Sequence, residues 1–429
     1  MSQRCLLIAD DLTGGADAGA QFAKAGLNTL LISIKDSPRI DFSKYNDRDV
    51  LVVNTDSRGL TPEKAFSLVS NLLKGYDKEI FPIVYKKIDS TLRGNIGYEI
   101  DAVLKKTEGS LCFMAPSYPE QNRTLVGGIM MVGEKPLALT EASCDAASPV
   151  QESHVHKLLE HQSINKIGKI DLTHVASTPT SLKKVVEEEE KKGSRIIVFD
   201  AISRQNLANI ADVAFSMNRR PLFVGSAGFA EEVAKKISLK PKTVSPFSER
   251  SRKGFEHIFI IAGSASSVTH QQLERIEERK IPTFQLDKSI LVGIGSGELS
   301  LQIASSLIGG HAILKNFSER ISIGNFDSFP IHQRITGALA SLALSALKES
   351  KIDISRLALI LTGGDTALSV INILRAEGVE IEGELLEGIV EGHLIGGNWD
   401  GLRVITKAGA FGNENAIEKI VEILETGSI

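Results

Sequence analysis

The sequence predicts an α/β protein of two domains, each with a largely parallel sheet, and a functional site in the cleft between them. Three observations carry that expectation. The chain has 429 residues, too many for one ordinary hydrophobic core. Short apolar, β-rich runs alternate with helical patterns along the first half, as βαβ architectures require. Between Ser238 and Gly254 the segment "SLKPKTVSPFSERSRKG" breaks the alternation with two prolines and scattered charges, and the α/β pattern then resumes. The domains are accordingly placed at residues 1–240 and 255–429, with 241–254 as linker and hinge.

In chain order, the first half reads as strand "CLLIAD", helix "GADAGAQFAKAG", strand "TLLISI", strand "DVLVVNTDSR", helix "PEKAFSLVSNLLKGY", strand "FPIVYKK", helix "NIGYEIDAVLKK" and strand "LCFMAPS". Pro62 behind Thr61 marks a helix start, and Gly26 and Gly75 stand where helices stop. A further helix and strand follow in "SLKKVVEEEEKKGSR" and "IIVFDA", with Glu187 to Glu190 on a solvated face. In the second half "HIFIIAGSASSVTHQQLERIEER", "LALILTGGDTALSVINILRAEG" and "LRVITKAGAFGNENAIEKIVEIL" share one plan: an apolar strand, a Gly/Ser/Thr loop and an amphipathic helix.

Composition narrows the class. Hydrophobic residues at 42% and charged residues at 24% are ordinary globular values, and 37 glycines against 13 prolines point to tight loops instead of low complexity. A net charge of −4, with no basic stripe interleaved with aromatics, argues against a nucleic-acid partner. No long apolar run argues for a membrane span. Cys5, Cys112 and Cys144 lie far apart without C-x-x-C spacing, which fits a reducing, cytoplasmic compartment. His154 and His156 project about 200° apart on a helix, a poor start for a metal site. A homo-oligomer stays open.

Ligands of open α/β sheets bind beyond the carboxyl ends of strands, where loops meet and helix amino termini offer free N–H groups. In the first half those ends carry Asp10 and Asp11, Asp56 and Arg58, Lys86, Lys87, Asp89 and Arg93, and Ser117. Cations beside carboxylates suit a small, hydroxylated anion: the cations clamp its carboxylate and aspartates accept its hydroxyl protons. A sugar acid fits best. The competing interpretation is a set of helix caps and loop-tying ion pairs.

The second half has a different chemistry. Its strand-end loops "GSASS", "TGGDTA" and "KAGAFG" are rich in glycine and hydroxyls, and each opens a helix, which suits phosphate. The candidates are Ser264, Gly363, Gly364, Asp365, Thr366, Lys407, Gly409 and Gly412. Lys407 could neutralise a phosphate oxygen, and Asp365 could hold Mg²⁺. The competing interpretation is three tight turns that need glycine for their own geometry. No Walker-type or dinucleotide fingerprint is present: in "GIGSGEL" Gly293, Gly295 and Gly297 are followed by Glu298 where the last glycine would fall. Two other functions suit the first-half charges, a lyase forming a Schiff base on Lys86 or Lys87 and a non-catalytic sugar-acid-binding protein.

The ordered set "IADDLTGGADAGAQFAKAG", "NTDSR", "YKKIDSTLRGNIGYEIDA", "APSYPEQNRT", "GSAS", "TGGDTA" and "TKAGAFG" resembles the four-carbon acid sugar kinase family over nearly the whole chain. The resemblance implies an amino-terminal sugar-acid domain, a carboxy-terminal nucleotide domain, and ATP-dependent phosphorylation of threonate, erythronate or an oxo-derivative, usually at the 3-hydroxyl. It implies substrate positions at Asp10, Asp11, Arg58, Lys86, Lys87 and Asp89, and ATP positions at Ser264, Gly363, Gly364, Asp365 and Gly409. Asp89 or Asp11 would orient or deprotonate the hydroxyl, and Arg93 would reach the acid or the transferring phosphate. This chain departs from the family pattern in Ser117-Tyr118-Pro119, in Ala410, and in "GELLEGIVEG", which lacks a proline.

Overall fold

The computed structural model describes residues 3–427 apart from 35–38, 108–109, 146–147, 239–253, 288, 293–294 and 318–330. The expected linker, except Gly254, and Gly293 lie outside the described residues. The chain forms two compact units, Met1–Thr243 and Val244–Ile429.

The first unit opens with β1 (Cys5–Ala9), α1 (Leu12–Lys24), β2 (Thr29–Ser33), β3 (Val50–Asn54) and α2 (Pro62–Leu72). It continues with β4 (Ile83–Lys87), α3 (Ile96–Lys106) and β5 (Cys112–Ala115). Three short strands follow, β6 (Arg123–Val126), β7 (Ile129–Val132) and β8 (Lys135–Pro136). It closes with α4 (Val155–Glu160), β9 (Ile167–Ile170), α5 (Leu172–Val175), α6 (Pro179–Lys191), β10 (Ile196–Phe199), α7 (Arg204–Ser216), β11 (Leu222–Gly225) and α8 (Ala227–Ile237).

Its main sheet runs β2-β3-β1-β4-β11-β5-β10-β9, and each neighbouring pair is parallel. Every residue of β1, β3 and β4 is buried, which explains why these strands read as unbroken apolar runs: helices cover both faces. The small antiparallel sheet β6-β7-β8 was not expected from the sequence. Its Gly127–Gly128 turn is fastened by Asp200, whose carboxylate accepts both amides at 2.6 and 3.0 Å.

The second unit contains β12 (His257–Ala262), α9 (Ser267–Glu277), β13 (Thr283–Gln285), α10 (Ser296–Ile308), β14 (His311–Lys315) and α11 (Ile331–Ser350). It ends with β15 (Leu357–Thr362), α12 (Gly364–Ile373), β16 (Gly378–Leu386), β17 (Ile389–Ile395), β18 (Arg403–Lys407) and α13 (Ala416–Thr426). The order β13-β14-β12-β15-β18 is parallel, and β17 and β16 extend it in antiparallel fashion. In each unit the first four strands of the sheet stand in the spatial order second, third, first, fourth. Such a reversal puts a crevice beyond the ends of the first and fourth strands, β1 and β4 in one unit, β12 and β15 in the other.

Aromatic rings fill the first unit's centre. Tyr85 meets Phe22 and Phe229 with ring centroids 6.3 and 6.2 Å apart, and Phe229 meets Phe223 at 6.1 Å. Phe229→Ala should therefore leave a large void and cost about 3–5 kcal/mol, read as a lower denaturant midpoint. A loss below about 1 kcal/mol would show that this cluster does not hold the unit together.

Candidate functional site

The strand ends of the first unit are flush. Ala9 pairs with Asn54 on one side and Lys87 on the other, so the segments after β1, β3 and β4 leave the sheet at one level. There Arg58 forks onto Asp10, Nε to Oδ2 at 2.8 Å and Nη2 to Oδ1 at 3.2 Å, and Nη2 also donates to Asp11 Oδ1 at 2.6 Å. Asp11 caps α1 as well, accepting from Gly14 N at 3.2 Å and Thr13 Oγ1 at 2.8 Å. Arg93 forks onto Asp89 at 2.7 and 3.2 Å, and its Nη1 reaches Asp145 at 3.0 Å. Gly94 closes the β4 loop against this cluster at φ 94°, where a Cβ would stand 3.3 Å from both Arg58 Cγ and Asp10 Oδ2.

The predicted residues thus gather, but several face one another instead of solvent. Burial pushes the Asp89 carboxyl up, and the charges of Arg93 and Arg58 with the bonds from Arg93 and Thr91 outweigh it, holding Asp89 well below the usual carboxylate range. Asp10 is likewise lowered, burial being overcome by Arg58, Lys86 and Lys87.

Lys86 departs from its expected place at the ligand. It is fully buried, its Nζ lies 2.8 Å from Glu99 Oε2 and donates to Lys87 O at 2.7 Å, and it is a support beneath the edge. Lys87 differs: among the described residues no carboxylate stands within ion-pair range of its ammonium, which donates to Ile88 O at 2.9 Å and points toward the amino terminus of α1 beside Gly14.

Sequence reasoning missed Glu99 and Asp145. Glu99, in the first turn of α3, is buried, accepts from Ser57 Oγ at 2.7 Å, and is raised in pKa because burial outweighs Lys86. Its signal in the sequence was a carboxylate on the helix that follows "YKK". Asp145 comes from the segment after β8, whose Ser148 Oγ also donates to Arg58 O at 3.1 Å, and nothing in local sequence ties it to Arg93. Ser117 is a tie between strand ends, donating to Ala201 O at 2.8 Å and accepting from Ser226 Oγ through its carbonyl at 2.7 Å.

In the second unit Ala262 pairs with Lys315 and Thr362, and Thr362 with Lys407, so these strands also end level. The three glycine-rich loops touch. A Cβ on Gly263 would fall 2.1 Å from Thr366 Oγ1, one on Gly409 would fall 2.1 Å from Ser264 Oγ, and Gly363 N donates to Lys407 O at 2.9 Å. Gly363 and Gly412 have φ of 96° and 81°. Close approach of loop to loop therefore explains Gly263 and Gly409, and backbone geometry explains Gly363 and Gly412.

The helices opened by these loops are α9, α12 and α13, and none has a side-chain cap; α2, α3, α4 and α10 also lack one, whereas α1, α6, α7 and α8 are capped. Among the described residues the first amides of α9 and α12 have no protein acceptor, which is the chemistry of anion binding, whereas that of α13, Ala416 N, donates to Asn413 O at 3.0 Å. Gly364 and Asp365 open α12, with Asp365 exposed, while Thr366 is buried against Gly263. Lys407 does not project from the edge: it is fully buried and donates to the carbonyls of Ala408, Gly409 and Phe411 at 2.9, 3.2 and 2.9 Å.

Comparison with known proteins assigns a class to each unit. Residues 5–233 match the model of a sugar-binding N-terminal domain, and residues 259–417 that of a nucleotide-binding C-terminal domain. The fold and its two edges are those of a protein that pairs a sugar with a nucleotide. The chain belongs to the four-carbon acid sugar kinase family.

It is 29% identical to a D-erythronate kinase of Heliobacterium modesticaldum, with 98% of this chain and 97% of that protein covered. It is also 29% identical to a D-threonate kinase of Salmonella typhimurium, with 96% of each covered. A solved structure from Salmonella typhimurium shares the fold with a TM-score of 0.79 at 21% identity, covering 97% of this chain and 98% of that one.

The buried pair gives a test. Glu99→Gln strands the Lys86 charge and should cost about 3–5 kcal/mol, while Lys86→Met with Glu99→Gln should recover most of it. Equal losses in the single and double variants, measured by chemical denaturation, would remove the pair from its supporting role.

Proposed function

We propose that this protein transfers the γ-phosphoryl group of ATP to a hydroxyl, the 3-hydroxyl by family resemblance, of a four-carbon sugar acid. The observation that carries the reading is the contrast between two flush strand-end edges, one with paired charges and a single buried lysine lacking a carboxylate partner among the described residues, the other with uncapped helix termini and converging glycine loops. Relatives named as erythronate and threonate kinases support it.

Lys87 takes the substrate carboxylate, assisted by the amino terminus of α1. Arg58 and Arg93 hold the aspartates in place. Asp11 orients the attacking hydroxyl: its side chain is 18% exposed against 5% for Asp10 and 12% for Asp89, and its Oδ2 accepts from Thr13 Oγ1, leaving a second lone pair. Strong basicity is not needed, because phosphoryl transfer is dominated by alignment and charge neutralisation. Ser264, Gly363, Gly364, Thr366, Gly409 and Gly412 hold the nucleotide. Magnesium would neutralise charge on the phosphates, and Asp365, exposed at the start of α12, is the carboxylate that fits it. The lyase alternative loses Lys86, which Glu99 encloses.

An ADP-release assay across D- and L-threonate, D- and L-erythronate and 3-oxo-tetronate should show turnover with at least one; silence with all of them overturns the reading. Lys87→Ala should raise KM for the acid at least tenfold with little change for ATP, and a change confined to ATP would place the lysine wrongly. Asp11→Asn should lower kcat by roughly 10²–10⁴, and a kcat within threefold of wild type would transfer the orienting role to another carboxylate.

A further inference from the structure

The loop after β18 is built inside out relative to a loop held by a phosphate-binding lysine. Four of its carbonyls are claimed by the protein. Lys407 Nζ takes those of Ala408, Gly409 and Phe411, Thr269 Oγ1 also takes that of Gly409 at 2.9 Å, and Gln272 Nε2 takes those of Phe411 and Asn413 at 3.1 and 2.8 Å. All three donor side chains are fully buried.

In a planar trans peptide the N–H points opposite to its C=O. Fixing the carbonyls of residues 408, 409, 411 and 413 on the buried side therefore turns the amides of Gly409, Ala410, Gly412 and Glu414 away from it. Residues 410, 412 and 414 are exposed, and among the described residues none of the four amides donates to a protein acceptor. A concave run of such amides is an anion nest.

We propose that Lys407 is a positioning residue, which with Thr269 and Gln272 holds the carbonyls of this loop inward so that its amides take the phosphates of the nucleotide. The ammonium itself stays under the loop. The inference rests on the nucleotide site of the proposed function and replaces a direct lysine–phosphate contact within it.

The protonation state matters to the device. Three carbonyl acceptors need three N–H donors, and a neutral amine has two. Burial pushes the Lys407 pKa down to about 8, and no charged side chain contributes to that shift. A nucleotide held by the pinned loop favours the ammonium, so binding takes up a proton above about pH 8 and affinity falls as pH rises beyond it.

The test uses the full-length protein and two probes, ATP and ADP, measured by titration calorimetry. Lys407→Met should weaken both at least tenfold and by similar factors, because the pin shapes the whole loop. Thr269→Val should cause a smaller loss of the same kind, and the double variant should fall short of the product of the two. Hydrogen exchange of the loop amides without nucleotide should be faster in Lys407→Met, and the wild-type decline in affinity above about pH 8 should vanish in that variant.

A loss much larger for ATP than for ADP would mean direct phosphate contact and overturn the proposal, as would unchanged affinity and exchange in a folded Lys407→Met. If that variant does not fold, Thr269→Val alone decides by the same criteria. Tight nucleotide binding without ADP release on any four-carbon acid would sink the kinase reading and leave the pin standing.

Discussion

Everything at both edges depends on register. In the first unit Ala9, Asn54 and Lys87 are paired across three parallel strands, and in the second Ala262, Thr362 and Lys407 are paired in the same manner. A one-residue slip in any of these ladders would turn every side chain to the opposite face. Lys86 and Lys87 show what is at stake. They are adjacent on β4 and point opposite ways, so one is neutralised by Glu99 of α3 while the other lies beside the amino terminus of α1. Two lysines with the same chemistry take different duties because the pleat separates them.

The sequence made the strand ends readable because fully buried parallel strands must be apolar and stop abruptly where charge begins. It exposed "ADD", "DSR" and "KKID" as parts of one edge, and "GSAS", "TGGD" and "KAGAFG" as parts of another. It could not tell which charges face the ligand. Arg58 read as a clamp for a foreign carboxylate, yet its fork is filled by Asp10 and Asp11; that pairing is set by how the β3 loop crosses the β1 loop, 48 positions away in the chain. Glu99 gave only a weak signal for a related reason: a glutamate in the first turn of a helix is ordinarily solvated, and only its pairing with Lys86 of β4 makes it a buried counter-charge. The glycines were read as space for a ligand, whereas Gly263 and Gly409 are required by neighbouring loops.

The two edges solve the binding of anions differently. In the first, Arg58 and Arg93 are paired with Asp10, Asp11, Asp89 and Asp145, so their charges are met within the protein. In the proposed site discrimination falls to Lys87, a helix terminus and acceptors for hydroxyls, a combination that favours a small acid carrying both functions over a bare anion. In the second, on the proposed reading, neutral amides supply the attraction, since they can approach several oxygens of a polyphosphate without the desolvation cost of burying several cations.

If the second edge is the nucleotide site proposed here, that difference explains how a fully buried lysine can serve it without touching the ligand. A loop rich in glycine has many conformations, and each must be excluded for its amides to converge. A single ammonium accepting no bond and donating three can fix three carbonyls at once, which no neutral side chain of similar size does. Its charge is compensated by the carbonyl dipoles it collects, and the positive ends of the same peptide units are displayed on the opposite side. In that proposal Lys407 acts through the polarity of the backbone, and the loop carries its influence outward as oriented N–H groups.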